Sequence, residues 1–71
     1  MDMNRVKLLD VVVALSDMPD EGIRTGMKGT VIDIHEEPCL AYEIEFCDES
    51  GRTIAVVALL PDQVNPVWSR D

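Results

Sequence analysis

Basic residues are scarce in this chain. Six Lys and Arg stand against fourteen Asp and Glu in 71 residues, a formal net charge of −8. Such a balance repels phosphate backbones and anionic lipid surfaces, and it favours basic partners if it favours any. Aromatic residues are scarcer still, with one Phe, one Tyr and one Trp. That is too few for the stacking platform on which single-stranded nucleic acids bind. The single histidine, His35, argues against a Ser-His-Asp or Cys-His set and against a metal centre of several imidazoles. No stretch is long and apolar enough to span a bilayer. The chain also lacks internal repeats and low-complexity tracts.

The two cysteines, Cys39 and Cys47, have no CxxC spacing. The segment after "VVVAL", Ser16-Asp17-Met18-Pro19-Asp20, is not a small-residue cleavage site, so a secretory signal is not expected. The expectation is a cytoplasmic protein with reduced thiols, Cys39 in a loop and Cys47 at a strand end.

What is present is the patterning of a small β domain. The apolar fraction of 46% is that of a globular chain, and 71 residues make one domain, 1–71, with 1–9 as an N-terminal arm. "VVVAL", Val11 to Leu15, is β-branched and reads as a first strand. The polar loop after it carries Pro19, Gly22 and Gly26, with Met18 and Ile23 expected to pin it to the core. "GTVIDIHE" reads as a second strand. Gly29 stands at its start, where a Cβ would clash or a bulge would form. "AYEIEF" alternates strictly, so Tyr42, Ile44 and Phe46 are expected inside, with Val13, Val31 and Ile54 among their neighbours. "CDESGR" is a turn and "TIAVVALL" a fourth strand. "PDQV" reads as one helical turn opened by Pro61. "NPVW" then gives a short fifth strand or cap held by Val67 and Trp68. The fold expected is all-β, a small five-stranded SH3-like barrel with a single helical turn before the last strand.

Three segments carry a family resemblance. They are "DVVVALSDMPDEGIRTGMKGTV" from Asp10, "AYEIEFCDESGRT" from Ala41 and "LPDQV" from Leu60. With the spacing Pro-x-x-Gly-x-x-x-Gly-x-x-Gly-Thr-Val from Pro19, the chain resembles the domain of unknown function 4926 family of small bacterial proteins. The resemblance implies an SH3-like barrel, akin to that of nitrile hydratase β-subunits and to KOW modules. It brings no catalytic or binding residues with it. It directs attention to a partner protein, toxin-like or enzyme-like, encoded nearby.

The candidate sites are few. "GIRTGMKGTVIDI" has the look of a KOW-type RNA contact. Its nearby cations, Arg24 and Lys28 with Arg52 in a later turn, face Asp17, Asp20, Glu21, Asp33, Glu36 and Glu37. Phosphate contact needs the opposite balance, so the glycines are expected to shape a turn. His35, Glu37 and Cys39 alternate and could share a face, but Pro38 should break the strand. Glu43 and Glu45 share one face of a strand and are expected to be solvated. No enzyme, cofactor, metal, small-molecule substrate, nucleic acid or membrane is expected. The one feature that asks for a partner is the apolar run Ile54 to Leu60. A barrel interior takes only one face of a strand, so the other needs cover by Leu8 and Leu9, a second copy or a partner. Val57 and Leu59 are the expected interface residues, or Val56 and Ala58 if the register is shifted. The function expected is a non-enzymatic protein-interaction module, accessory or antitoxin-like. The alternatives are a KOW-type RNA- or ribosome-associated module and the accessory barrel of a metalloenzyme subunit.

Overall fold

A computed structural model describes residues 6–69 of the chain. The first five residues of the expected arm lie outside the described residues. Five strands follow in order: β1 (Val11–Ala14), β2 (Lys28–His35), β3 (Ala41–Cys47), β4 (Thr53–Leu59) and β5 (Val64–Trp68). All pair antiparallel in one sheet of order β4-β3-β2-β1-β5. A 3-10 turn at Pro61–Gln63 precedes β5, as the sequence predicts. A second, at Pro19–Glu21, lies in the first loop and was not expected.

The core lies on one face of this sheet. Val12, Val31, Ile44 and Phe46 are fully buried, and Tyr42, Ala14 and Ile23 nearly so. Among the described residues no helix or second sheet covers that face. The sheet curls over this face, as in a small barrel, and Ile23 and Met18 of the first loop with Val6 complete the cover. β4 and β5 end the sheet and share no ladder among the described residues.

β3 supplies the centre of the core as its alternation predicts, with Tyr42, Ile44 and Phe46 inward. Their expected neighbours need correction. Val31 is in the core, but Val13 is only half-buried and lies on the outer face, opposite Lys28 and Asn65. Val12 and Ala14 take the inward positions. "VVVA" is apolar at every position, so its pattern carries no parity. Ile54 is also displaced, by a bulge between Phe46 and Cys47 that leaves it unpaired with β3. It turns toward the first loop, where a Cβ built on Gly22 would stand 3.5 Å from its Cγ2.

The first loop is pinned as expected: Ile23 is buried, Met18 packs beside the core, and the two form an isolated bridge. Asp17 closes the same loop by accepting the Thr25 amide at 2.7 Å and its hydroxyl at 2.9 Å. Gly29 serves close packing, because a Cβ there would meet Ile44 Cγ2 at 2.5 Å. The bulge in β2 falls later, between Val31 and Asp33. β5 is held by buried Val64 and half-buried Pro66, whereas Val67 and Trp68 are exposed. Val67 and Trp68 therefore do not anchor it.

Candidate interaction site

β4 is an edge strand of unusual composition. From Thr53 to Leu60 it contains no charged residue and no proline. Its ladder to β3 runs from Tyr42↔Leu59 to Cys47↔Thr53. Among the described residues its other side carries no ladder. Its start packs against the 3-10 turn at Pro19–Glu21, with Ile54 beside Gly22, so the backbone groups open to another strand are those aimed away from β3 from Ala55 to Leu59. The opposite edge differs: β5 is shorter and carries Pro66, which removes a donor.

The pairing with β3 fixes the faces of β4. Val57 stands opposite Ile44, and Leu59 opposite Tyr42, so both point inward. Leu59 is a core residue, 4% exposed, and Val57 packs against the core. Val57 and Leu59 are therefore not the outward pair expected from the sequence. The outward residues are Val56, opposite Glu45, and Ala58, opposite Glu43. Val56 is 47% exposed. Leu8 and Leu9 do not cover them. Both are exposed, and the Leu9 amide bonds to the Val31 carbonyl on β2, two strands away.

One row of outer-face partners crosses the whole sheet: Trp68, Val11, Thr30, Glu45 and Val56. The apolar surface is thus divided. Trp68 lies at one end, Val56 at the other, with Thr30 and Glu45 between. Glu45 accepts the Thr53 hydroxyl at 2.6 Å, and Glu43 lies 3.5 Å from His35 Nε2. β4 accordingly has carboxylates on its flank and small apolar side chains at its rim.

The other candidates settle as follows. β2 ends at His35, so Glu37 and Cys39 fall in the following connection, off the strand. The groups that do converge on His35 are Asp33 and Glu43, with His35 Nε2 3.8 Å from Asp33 Oδ2. Asp33 and His35 are exposed and Glu43 half-buried; their ligand atoms lie within 4.8 Å of one another, an arrangement that could hold a metal ion and that a cross-strand polar cluster also explains. The hairpin signal missed here is the direct pairing Asp33↔Glu43, which needs the strand register. Cys39 and Cys47 are free, exposed, and at opposite ends of β3. Arg24, Asp48, Glu49 and Cys47 border an open groove between the first loop and the β3–β4 hairpin.

Two of the cations, Arg52 and Arg24, are set against acids. Arg52 Nε lies 3.5 Å from Asp48 Oδ2. Asp48 Oδ1 also accepts the Arg52 amide, and the Ser50 amide and hydroxyl, each at 2.9 Å. These bonds, the Arg52 amide first, hold the Asp48 carboxyl below its ordinary pKa. The Asp17 carboxyl is lowered likewise, first by the Thr25 amide, then by its hydroxyl, with Arg24 nearby adding a smaller pull.

The chain belongs to the family described as "Domain of unknown function (DUF4926)", whose model matches residues 8–66. The matched span runs from the turn before β1 into β5 and contains all of β4. No curated protein and no solved structure matches the chain.

Proposed function

We propose that this chain is a non-enzymatic protein-interaction module that presents β4 to a protein partner. The observation that carries the reading is a sheet edge without charge or proline, open from Ala55 to Leu59 beyond the part that the first loop covers. Sheet edges in soluble proteins are ordinarily guarded by charge, proline or cover, because an unguarded edge recruits another strand. An acidic body carrying such an edge suits an accessory or antitoxin-like protein that covers a basic surface of a co-encoded partner in the cytoplasm. Two rival readings have less in their favour. An RNA- or ribosome-associated role needs a coherent basic patch, and Arg24 and Arg52 sit beside carboxylates. For the accessory barrel of a metalloenzyme, no observation speaks.

The test is a pair of single substitutions in β4. Val57→Glu places a charge against the core and should unfold the domain or lower its melting midpoint sharply. Val56→Glu places the same charge on the outer rim and should leave the fold intact. It should also reduce the mass seen by light scattering, or the partner recovered by pull-down from the native host and identified by mass spectrometry. If Val56→Glu changes neither mass nor recovery, β4 is merely exposed apolar strand and the module reading fails.

A further inference from the structure

The edge of β4 also states what kind of segment would fit it. Its free backbone groups ask for an extended strand, since only a strand presents donors and acceptors at the matching repeat. A strand added there would have two unlike faces. Its inner side chains would meet Ala55 and Val57, which are only partly buried because β4 and β5 share no ladder. That margin of the core is apolar, so the inner positions call for apolar residues.

Its outer side chains would lie beside Val56 and Ala58, with Glu45 and Glu43 one strand further on. Adjacent strands are about 4.8 Å apart, so the added strand stands about 10 Å from β3. A Lys or Arg stem lying along the apolar surface of β4 covers the larger part of that gap, and a Glu side chain reaching back from β3 closes the rest. Val56 and Ala58 are short enough to lie beneath such a stem. Asp33 continues the acidic surface beyond Glu43. The net charge of −8 steers basic segments toward the whole body. A second copy of β4 meets the inner requirement but not the outer one. It carries no base between Thr53 and Leu60, and it would bring a second acidic body with it.

Resting on the module reading above, we infer that the occupant of the β4 edge is an extended segment of a basic partner. In it apolar residues alternate with Lys or Arg, and it adds as a sixth strand, apolar side toward Ala55 and Val57 and basic side toward Glu43 and Glu45.

The test uses the intact chain and three fluorescein-labelled peptides of about eight residues, a strand's length. One alternates Val and Lys. The second alternates Val and Glu. The third is the Val-Lys peptide with its central backbone amides N-methylated, which keeps the charge but blocks strand pairing. Anisotropy titrations at about 0.15 M salt should show saturable binding of the Val-Lys peptide, with the other two at least about tenfold weaker. The double substitution Glu43→Gln, Glu45→Gln should weaken the Val-Lys peptide by a similar factor, with circular dichroism unchanged.

The inference is overturned if the N-methylated peptide binds as well, which would mean charge attraction without a strand. It is overturned if the Gln variant binds undiminished, or if the Val-Lys peptide does not bind at all. A concentration-dependent dimer abolished by Val56→Glu would overturn it too, by making the occupant a second copy. Failure with the peptides while Val56→Glu still loses the native partner removes this inference and leaves the module reading standing.

Discussion

Phe46 and Gly29 meet where β2 and β3 pack closely. Phe46 is fully buried, and a Cβ on Gly29 would stand 3.0 Å from its ring carbons and 2.5 Å from Ile44 Cγ2. The two positions constrain each other: the ring fills the space that a side chain on β2 would need. Phe46→Ala should therefore destabilise by about 3–5 kcal/mol, the range for an emptied aromatic site in a core. For a domain of this size that is most of the total stability, and urea unfolding with a circular dichroism readout would measure it. A loss under about 1 kcal/mol would contradict the register of β3. Gly29→Ala fails for the opposite reason, overpacking. It should cost roughly 1–3 kcal/mol by the same measurement, because the atoms it meets belong to buried side chains with little room to yield. A variant as stable as the parent would mean that β2 and β3 lie further apart than described.

At the scale of the element, the turn of the β3–β4 hairpin is tied through one ionised side chain as well as its backbone bonds. Asp48 organises the turn through the Arg52 and Ser50 amides, and its pKa in the folded chain is lowered. A depressed folded value means that the unfolded chain takes up the proton more readily. The stabilisation is therefore present above the ordinary carboxylate pKa and disappears as pH falls through the folded one. Asp17, which ties the first loop to Thr25, has the same sign. The urea midpoint should fall between about pH 5 and about pH 3, and the double variant Asp17→Asn, Asp48→Asn should lose less over that interval than the parent. Equal losses would show that other carboxylates dominate. How far these elements were legible from sequence depended on pattern. β3 alternates apolar and polar residues from Ala41 to Phe46, so its inward set follows directly. β1 is apolar throughout and β4 is so after Thr53, so either face could be inward: Val12 and Ala14 take the core in place of Val13, and on β4 the outward pair is the shifted-register alternative, Val56 and Ala58. The bulge that re-aims Ile54 leaves no mark in composition. That β4 ends the sheet is a property of strand order, which no local window contains.

For the molecule as a whole, charge is the dominant fact, and its arrangement sharpens the effect of its amount. The outer face carries Glu45 directly beside Val56 in the row that runs from Trp68 to Val56, so the negative field lies next to the β4 end of that row. Of the three cations that a nucleic-acid reading would recruit, Arg52 is paired with Asp48 and Arg24 lies near Asp17. Lys28 sits apart, opposite Val13 on the sheet. A phosphate backbone approaching Arg24 or Arg52 would also approach carboxylates, and Lys28 alone makes no basic patch. Each contact would have to release counterions from the nucleic acid while the protein's own acids repel it. The expected result is no measurable binding of single-stranded RNA or duplex DNA at physiological salt, read by fluorescence anisotropy with labelled oligonucleotides. Micromolar affinity that weakens steeply as salt is raised would overturn this, because that slope marks phosphates neutralised by protein cations. Binding insensitive to salt would be equally informative. It would require base stacking on an exposed aromatic, and among the described residues Trp68 at the far end of the sheet is the one so placed. A Trp68→Ala variant would then abolish the signal, whereas contact through Arg24 would survive that change and vanish in Arg24→Ala.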